Sequence, residues 1–430
     1  MKLRSIDEAT FLLSRVEHIT IIKNKENIER YFSKIKMTRR QIKKEKRWIR
    51  AGLRITLNYL RLIIHFTRIF FYGISSILIF SVFWFFLLSV MICSNFRSRE
   101  ENKKNNQKYI NGLVSITIVN WNGKKYLKKC IGCIKMQTYK SIEIIISDNG
   151  STDGSLEQIE KSHPDIKIIR NNTNLGFSKG HNIAIRKARG EYTLPLNFDV
   201  FMTENFVEEL VKAINKDKNI GSVSGKLLLE DKKTIDSTGI IFHNMFPKDR
   251  GENEIDNGQF NSITHIFGPC GAAPLYKREM LEDIKYENEY FDEDFNLYVE
   301  DVDLAWRAQL SGWNSLYAPL AVAYHERGVT RKGNTERLKQ YEIIGYRNRY
   351  LAIIKNLPLG VFWNNFKQIA KKEMMFIGSF TYANWRPYRF YSYIGTITLA
   401  GKFVKKRKYI QNKKRVGNRY ISSLLFPKKR

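Results

Sequence analysis

Hydrophobic and polar positions change their period several times along the chain, and each change predicts a different kind of element. From residue 113 onward, short apolar runs alternate with amphipathic stretches. The run 142–148 is apolar almost throughout, as expected for a strand buried on both faces of a parallel sheet. The pattern predicts alternating strands (113–120, 142–148, 166–170, 191–197) and helices (about 123–136, 154–162, 178–189, 203–215).

Polar side chains collect at the carboxyl ends of these predicted strands, which is where an open α/β sheet with helices on both faces binds ligands. Asn120 ends the first strand and Asn122 follows it, Asp148 ends the second, and Asn197 ends the fourth, with Asp199 two positions later. In an extended segment, side chains two positions apart point the same way, so we expect Asn197 and Asp199 to face one ligand. Their oxygen atoms suit a hard divalent cation, Mg²⁺ or Mn²⁺, that bridges to phosphates.

A second concentration of polar residues is the acidic window 291–313, FDEDFNLYVEDVDLAWRAQLSGW. Helical periodicity begins at Asp301, and the helix macrodipole favours acids at a helix N-terminus. One interpretation is structural, with Asp303 and Arg307 forming an i, i+4 pair worth roughly a few tenths of a kcal/mol. The other is catalytic, because a carboxylate near a diphosphate is a candidate general base. The residues alone do not separate Glu300, Asp301 and Asp303 for that role.

The longest apolar stretch, residues 69–93, runs 25 residues without a charge, which is long enough to span a hydrocarbon core of roughly 30 Å. We expect it to be embedded in a membrane. Lys and Arg are frequent on both sides of it, so the positive-inside rule gives no clear orientation. A single crossing and a hairpin that turns near 73–76 are both consistent with the sequence.

The net charge of +31 is concentrated at the two ends of the chain. Residues 1–68 carry 18 Lys/Arg against 6 Asp/Glu, and residues 374–430 carry 14 Lys/Arg and no acid. Basic segments beside apolar and aromatic sequence favour an anionic membrane surface over nucleic acid, for which the sequence has no helix-turn-helix, zinc-finger or RNA-binding signature. The four cysteines form no disulfide framework, which suits a reducing compartment.

Seven motifs follow one another over about residues 113–350: VSITIVNWNG, IEIIISDNGSTDGS, NNTNLGFSKGHNIAIRKARGEY, LNFD, GAAPLYKRE, FDEDFNLYVEDVDLAWRAQLSGW and YRNRYL. In this order they resemble the inverting family 2 glycosyltransferases with a GT-A fold, and within them the rhamnosyltransferase-like branch. The resemblance implies that Asp148 contacts the nucleotide base or ribose, and that Asp199 with Asn197 binds the metal ion. It further implies that Asp301 is the catalytic base.

The chain departs from the family pattern in several places. Phe198 stands where proline is common, Asn197 replaces the first Asp of the metal-binding pair, and KYENEY replaces the usual Gly-Gly before FDE. The N-terminal 110 residues lie outside the common pattern. The resemblance therefore implies nothing about their role.

Five further residues carry open alternatives. His325 follows a predicted strand at a position that in the family reaches the metal or diphosphate, although a lone histidine there is as often a packed residue. Lys179 and Asn182 lie at a predicted helix start, where phosphate is favourable, and are candidate donor contacts or parts of a solvated helix face. Arg347 and Asn348 are interpreted as structural partners of the acidic helix, with acceptor or diphosphate binding as the alternative.

These observations predict five regions: a basic helical region 1–68, a membrane-embedded segment 69–93, a linker 94–112, a GT-A domain 113–356, and aromatic, basic membrane-associating helices 357–430. The resemblance implies a transferase at the membrane, with its catalytic domain on the cytoplasmic face and a divalent cation as cofactor. Its partners would be a nucleotide-sugar donor, a lipid-linked glycan acceptor and an anionic membrane surface, and not nucleic acid. A nucleotidyl enzyme on a similar sheet and a non-catalytic basic membrane protein are the alternatives.

Overall fold

A ten-stranded mixed β-sheet forms the centre of the computed structural model of this chain. The structure describes residues 58, 81–92, 108–327, 335–382 and 390–427. The described segments after residue 58 belong to one compact unit, Ser76–Arg430. Its first element is helix α1, residues 81–92.

The first half of the sheet is parallel and follows the predicted alternation of strands and helices. Its elements are β1 (Ile110–Asn120), α2 (Leu127–Lys135), β2 (Ile142–Asp148), α3 (Ser155–Ser162), β3 (Lys167–Arg170), α4 (Gly176–Lys187) and β4 (Gly190–Leu196). Strands β2 and β4 flank β1, and β3 flanks β2, all in parallel. Along β2, Ile144 and Ile146 enter one apolar cluster while Ile145 enters another, so helices cover both faces. The predicted α/β sheet is therefore confirmed over this half.

The second half of the sheet is mixed. Its elements are β5 (Val200–Met202), α5 (Phe206–Ile214), β6 (Ile220–Leu229), β7 (Ile235–Ser237), β8 (Ile240–His243), β9 (Phe246–Asp249), β10 (Thr264–Ile266), β11 (Leu275–Lys277), α6 (Arg278–Ile284), α7 (Glu300–Leu310) and β12 (Asn314–His325). The strand order is β10-β12-β6-β11-β4-β1-β2-β3, with β5 on β12 and β7 on β6, while β8 and β9 form a separate hairpin. Strand β11 runs antiparallel to both neighbours, which joins the parallel half to the parallel pair β6 and β12.

The C-terminal sequence forms helices that pack into the main apolar cluster. They are α8 (Thr335–Asn356), α9 (Leu359–Asn364), α10 (Phe366–Tyr382), α11 (Phe390–Asn412) and α12 (Asn418–Leu425). Tyr350 of α8, Phe403 of α11 and Leu425 of α12 are all buried there. Helices α9 to α12 lie within the predicted helical region 357–430, whereas α8 lies within the predicted GT-A domain, and the buried residues of α8, α11 and α12 make these helices part of the body of the fold.

Buried ion pairs attach two of these helices to the acidic window. Lys355 of α8 lies 2.6 Å from Asp292 Oδ2 and 2.9 Å from Asp303 Oδ2. Lys406 of α11 pairs with Asp292 Oδ1 and lies 2.9 Å from Asp294 Oδ2. The predicted Asp303–Arg307 pair is present at 2.9 Å. It lies in the interior with both side chains buried, because α8 covers it, and so it differs from the exposed helix pair that the sequence pattern suggested.

Half of the predicted membrane segment 69–93 lies outside the described residues, and residues 81–92 form α1. One side of α1 is buried, with Phe83 packing edge-on against Tyr350 at a ring-centroid distance of 5.0 Å. In the parts of the chain that the structure describes, no helix combines the length and the apolar character needed to cross a bilayer. Membrane embedding of 69–93 therefore stays a prediction.

Candidate active site

Side chains at the carboxyl ends of β1 and β2 close a turn between the two strands. Asn120 is fully buried, and its Nδ2 donates to Asp148 Oδ1 at 2.8 Å and to the hydroxyl groups of Ser151 and Ser155 at 3.0 and 2.9 Å. Asp148 Oδ2 accepts the N–H groups of Gly150 and Ser151 at 3.1 and 2.9 Å. Gly150 has a φ of 74°, which glycine adopts without strain. Asn120 and Asp148 thus lie side by side at the predicted edge.

Asn122, on the surface, connects the segment that follows β1 to the segment that follows β2. Its Oδ1 accepts the N–H of Thr152 at 2.9 Å, and its own N–H donates to Ser151 Oγ at 2.9 Å. Between Asn120 and Asn122, the indole of Trp121 is 50% exposed. A flat aromatic face at this edge suits stacking on a planar ligand. The sequence carries no signal for Trp121 beyond its place between two candidate residues.

The chain turns at 197–199, between β4 and β5, and the predicted extended segment is wrong there. The N–H of Val200 donates to the carbonyl of Asn197 at 3.1 Å, so strand alternation does not orient Asn197 and Asp199. Asp199 is nonetheless at the predicted sheet edge. It is buried, and its Oδ1 lies 3.5 Å from His325 Nε2 at the end of β12.

A network of charged groups, buried at Asp236 and His325 and partly exposed at Arg327 and Asp249, extends from this contact. His325 Nδ1 lies 2.8 Å from Asp236 Oδ2, and Asp236 Oδ1 pairs with Arg327 Nε. A terminal nitrogen of Arg327 lies 3.6 Å from Asp249 Oδ2. Sequence patterns missed Asp236, Asp249 and Arg327. Asp236 and Asp249 lie on strands of three and four residues, which are too short to show a period.

The network sets the charge states of its members. Burial alone lowers the pKa of His325, but hydrogen bonds to Asp199 and Asp236 outweigh it and raise the pKa to about 9. Burial raises the pKa of Asp236, yet His325 and Arg327 hold it below its usual range. For Asp249 burial prevails, and the pKa rises to about 6. At neutral pH the imidazolium of His325 is therefore bracketed by two carboxylates.

Asp301 lies in the first turn of α7 and is partly exposed. Its Oδ2 accepts the N–H of Gly271 at 2.8 Å, and its Oδ1 accepts the N–H of Val302 at 2.7 Å. Burial raises the pKa of Asp301, and these N–H groups together with Arg327 lower it by less. The result is a carboxylate fixed by backbone groups, with its pKa moved in the direction that improves a general base.

The two neighbouring acids have different surroundings. Glu300 is buried, and its Oε2 has no hydrogen-bond partner among the described residues. Burial, followed by the charges of Asp301 and Asp303, raises the pKa of Glu300 well above its usual range. Asp303 is fully buried, and its carboxylate forms ion pairs with Arg307 and Lys355. Of the three acids that the sequence left open, Asp301 is the one that is not buried.

The candidate acids lie along one edge of the sheet. Arg327 lowers the pKa of Asp301, and Asp301 raises that of Asp249, so Asp301 is close to the network that contains Asp199. Asp148 ends β2, and Asp199 follows β4, with β1 between them. Two strand spacings separate β2 from β4 by roughly 10 Å. The N–H of Asn197 donates to the carbonyl of Ala272 at 2.9 Å, next to Gly271, so Asp301 lies beside the turn that carries Asp199.

Two residues that the sequence predicts to contact the donor, Asn182 and Lys179, do not lie with the residues described above. Asn182 is fully buried, its Oδ1 accepts the N–H groups of Tyr290 and Phe291, and its Nδ2 donates to the carbonyl of Phe291 and to Glu293. Its hydrogen-bonding groups are therefore used within the protein. Lys179 is exposed and lines a cavity of about 640 Å³ together with lysines of α11, which are Lys402, Lys405 and Lys406. The roles of Lys179 and Asn182 in donor binding stay predictions.

Arg347 and Asn348 contact the loop that precedes α7. Arg347 Nε donates to Asn348 Oδ1 at 2.9 Å, and Asn348 Nδ2 donates to three carbonyls of that loop. These contacts favour the structural interpretation of the pair over direct binding of a diphosphate.

Comparison with known proteins adds to this geometry. The family model Glycosyl transferase family 2 matches residues 115–285, a range that contains Asp148 and Asp199 and ends before Asp301. An uncharacterized glycosyltransferase of Haemophilus influenzae is 34% identical over 258 residues, which cover 56% of this chain and 77% of that protein.

More distant similarities extend the comparison. The N-acetylglucosaminyl-diphospho-decaprenol L-rhamnosyltransferase of Mycobacterium tuberculosis is 22% identical over 241 residues, covering 50% of this chain and 76% of that protein. Among solved structures, residues 1–349 of TarS from S. aureus match with a TM-score of 0.45 and 15% identity, over 70% of this chain and 90% of that chain. With the Haemophilus relative matched over most of its length and the family model matched over residues 115–285, this chain belongs to glycosyl transferase family 2 and is a glycosyltransferase.

Proposed function

We propose that this glycosyltransferase is a membrane-associated, inverting enzyme of cell-surface polysaccharide assembly. It transfers a sugar from a nucleotide-diphosphate donor to a hydroxyl group of a lipid-linked glycan. The observation that carries the proposal is Asp301, a partly exposed carboxylate with a raised pKa that two backbone N–H groups fix near the Asp199 network. The name of the mycobacterial relative, which describes a lipid-linked acceptor, supports that part of the proposal. Family membership sets aside the nucleotidyl and non-catalytic alternatives.

In the proposed mechanism the acceptor hydroxyl approaches the anomeric carbon from the face opposite the diphosphate. Asp301 takes the hydroxyl proton while a bond forms between the acceptor oxygen and the anomeric carbon. The bond from that carbon to the diphosphate oxygen breaks, and the nucleoside diphosphate leaves with the electron pair. One displacement inverts the configuration, and general-base catalysis of this kind contributes about 10²- to 10⁴-fold.

The donor nucleotide would lie across the carboxyl ends of β1 and β2, as ligands do in open α/β sheets. Asp148 and Asn120 shape the turn beneath it, and Asn122 holds that turn closed. The exposed indole of Trp121 would stack on the base. The predicted contact of Asn197 is part of this proposal, because Asn197 is partly exposed in the adjoining turn.

Asp199 and His325 are the residues that would hold a divalent cation, Mg²⁺ or Mn²⁺. Across the described ranges, no group of three or more His, Cys, Asp and Glu side chains is arranged to hold a metal ion. The pair would fit such a role once the cation displaces the Nε2 proton of His325, since Asp236 holds Nδ1 and leaves Nε2 directed at Asp199, as carboxylate–histidine pairs do beside metals. Phosphate oxygens of the donor would supply further ligands. When bound, the cation supplies Lewis-acid stabilisation of the leaving diphosphate.

Membrane association is proposed from the surfaces of α1 and α11. Val82 and Phe85 of α1 are 70% and 74% exposed, although the other side of this helix is packed against the fold. On α11, Tyr391 and Ile394 are exposed as well. Apolar side chains next to strongly basic sequence suit the interface of an anionic bilayer, with the catalytic domain on the cytoplasmic face.

The proposal is tested with the full chain in detergent, a panel of nucleotide-sugars and a bacterial lipid extract as the source of acceptor. We expect one donor to give release of nucleoside diphosphate that depends on the extract. Asp301→Asn should lower the turnover number by about 10²- to 10⁴-fold, because it removes the proton acceptor. The matched control is Asp165→Asn, an acid whose side chain is 63% exposed just before β3, at the opposite end of that strand from the site.

Each part of the proposal has its own contrary result. Full turnover by a folded Asp301→Asn enzyme would exclude Asp301 as the base. A product that keeps the anomeric configuration of the donor would exclude a single displacement. If the release of nucleoside diphosphate is the same with and without the lipid extract, a lipid-linked acceptor is excluded. If the full chain does not float with anionic liposomes, membrane association is excluded.

A further inference from the structure

The loop 294–299, which leads into α7, has an unusual backbone. Asn296, Tyr298 and Val299 have positive φ angles of 61°, 66° and 73°. Residues with a Cβ atom rarely adopt this conformation, and β-branched residues such as valine adopt it least. Val299 is the second residue before Asp301. The backbone that presents Asp301 is therefore strained, and such strain persists only where the surroundings hold it.

One side chain of α8 holds much of this loop. Asn348 is fully buried, and its Nδ2 donates to the carbonyl oxygens of Phe295, Leu297 and Tyr298 at 2.9, 2.9 and 2.8 Å. Its Oδ1 accepts a hydrogen bond from Arg347 Nε at 2.9 Å, which turns the NH₂ group of the amide toward the loop. Three carbonyls of one loop thus converge on one amide group.

The other side of the loop rests on the start of α4. The carbonyl of Asn296 accepts the N–H groups of Phe177 and Ser178 at 3.2 and 3.4 Å. Gly176 has a φ of 76°, which favours glycine, and a Cβ there would lie 1.7 Å from Asn296 Oδ1 unless the Asn296 side chain moved. The carbonyl of Gly176 accepts a hydrogen bond at 3.1 Å from Asn149. Asn149 belongs to the turn at residues 148–155, after β2, which we call the donor turn because the proposed donor site lies above it. The loop is therefore clamped between the donor side of the site and α8.

We propose that Asn348 is a positioning residue. By holding three carbonyls of the strained loop 294–299, it fixes the first turn of α7 and with it the carboxylate of Asp301. The inference rests on the proposed function, in which Asp301 takes the acceptor proton. Since Asn348 opposes backbone strain, a substitution that removes the strain should replace part of its effect.

The test measures steady-state kinetics of the full chain with four variants. Asn348→Ala should lower the turnover number by about 10- to 100-fold, the cost of misplacing a catalytic group by about 1 Å, while KM for the donor stays within about twofold. Asn348→Ser, which keeps one donor, should fall between the wild type and Asn348→Ala. Val299→Gly in the Asn348→Ala background should restore at least about threefold of the lost turnover, because glycine takes positive φ without strain. The control is Asn365→Ala, a buried asparagine that donates to the carbonyl of Val361 and to Ser422 within the C-terminal helices.

The outcomes separate this inference from the proposed function. If Asn348→Ala and Asn348→Ser keep wild-type turnover while Asp301→Asn loses it, Asn348 does not position the base. If turnover, donor affinity and melting temperature fall together and Val299→Gly restores none of them, Asn348 is a general packing residue and the inference is rejected. If Asp301→Asn itself keeps full turnover, the proposed function fails first.

Discussion

The parallel half of the sheet and the half around α7 are stabilised by different kinds of contact. In the parallel half, the bonds Asn120–Asp148 and Asn122–Thr152 join residues 28 and 30 positions apart. Around α7, the ion pairs of Asp292 with Lys355 and Lys406 join residues 63 and 114 positions apart.

This difference shows that the two sides of the site depend on different parts of the chain. The donor turn is closed by neighbouring strand–helix units, and contacts of short sequence separation form at low entropic cost. The first turn of α7 is supported by α8 and α11, which follow it in the sequence. The C-terminal helices therefore hold the acidic window and the first turn of α7 in place, in addition to any role at a membrane.

Breaking the buried ion pairs of Lys355 should cause the largest loss of stability, and this loss should come from the half around α7. Lys355→Met removes the cation that Asp292 and Asp303 share, although Lys406 and Arg307 remain beside them, so the loss should lie at the low end of the about 3–5 kcal/mol that removal of one partner from a buried pair costs. We expect the free energy of unfolding, measured by urea denaturation, to fall by that amount. Nucleotide binding per folded molecule should change little, because the donor turn lies in the other half.

The matched control for this prediction is Lys405→Met, at an exposed position of α11 next to Lys406. Loss of that exposed charge should change the free energy of unfolding by less than about 0.5 kcal/mol. Equal effects of the two substitutions would show that buried charge pairs do not distinguish the α7 half.

Lowering the pH should cause the second-largest loss of stability, again in the half around α7. Burial alone would raise the pKa of Asp292, but Lys355 and Lys406 outweigh it and hold the pKa well below its usual range. A carboxylate with a depressed pKa contributes stability that is present above its unfolded pKa, about 4, and is lost as the pH falls through the folded value. We expect this group to cost the wild type on the order of 2 kcal/mol between pH 5 and pH 2.

Urea denaturation at several pH values checks the sign and the source of this effect. Asp292→Asn should show a shallower dependence of unfolding free energy on pH below pH 4, whatever its stability at pH 7. Asp217→Asn, at an exposed position, should keep the slope of the wild type. A wild-type slope that survives in Asp292→Asn would contradict the assignment.

The smallest of the three effects is expected in the parallel half. Asn120→Ala removes the hydrogen bonds from its Nδ2 to Asp148, Ser151 and Ser155, but Asp148 keeps the N–H groups of Gly150 and Ser151, so the loss should lie at the low end of about 1–3 kcal/mol. Nucleotide affinity, measured by calorimetry, should fall as the turn loosens, while hydrogen exchange in α7 stays unchanged. Asn172→Ala, at an exposed position, serves as the control. Faster exchange in α7 would mean that the halves are not independent.

The parallel half could be predicted from the sequence because its signals are local. Strand β2 begins and ends where the apolar run 142–148 does, and each predicted helix from 123 to 215 is present within a few residues. Asn120 and Asp148 could be assigned to a common edge because parallel strands align their carboxyl ends. Local hydrophobic patterns are sufficient to predict these strands and helices, and the alignment of parallel strands is sufficient to place Asn120 beside Asp148.

The surroundings of α7 could not be predicted because the partners lie far away in the sequence. Asp303 and Arg307 have the spacing of an exposed helix pair, and nothing local indicates that Lys355 will cover them. Asp236 lies on a three-residue strand, yet it orients His325. The turn at 197–199 follows from the pairing of β5 with β12 across the sheet, which the local pattern does not encode.

The clamp on loop 294–299 has a consequence for protein engineering. Recombining this enzyme with a relative at a boundary near residue 356 would separate Asp292 from Lys406, although that boundary falls at the end of a helix. A hybrid in which acceptor choice is exchanged would need to inherit the acidic window, α8 and α11 from a single parent. Loops elsewhere on the sheet could be exchanged with fewer compensating changes.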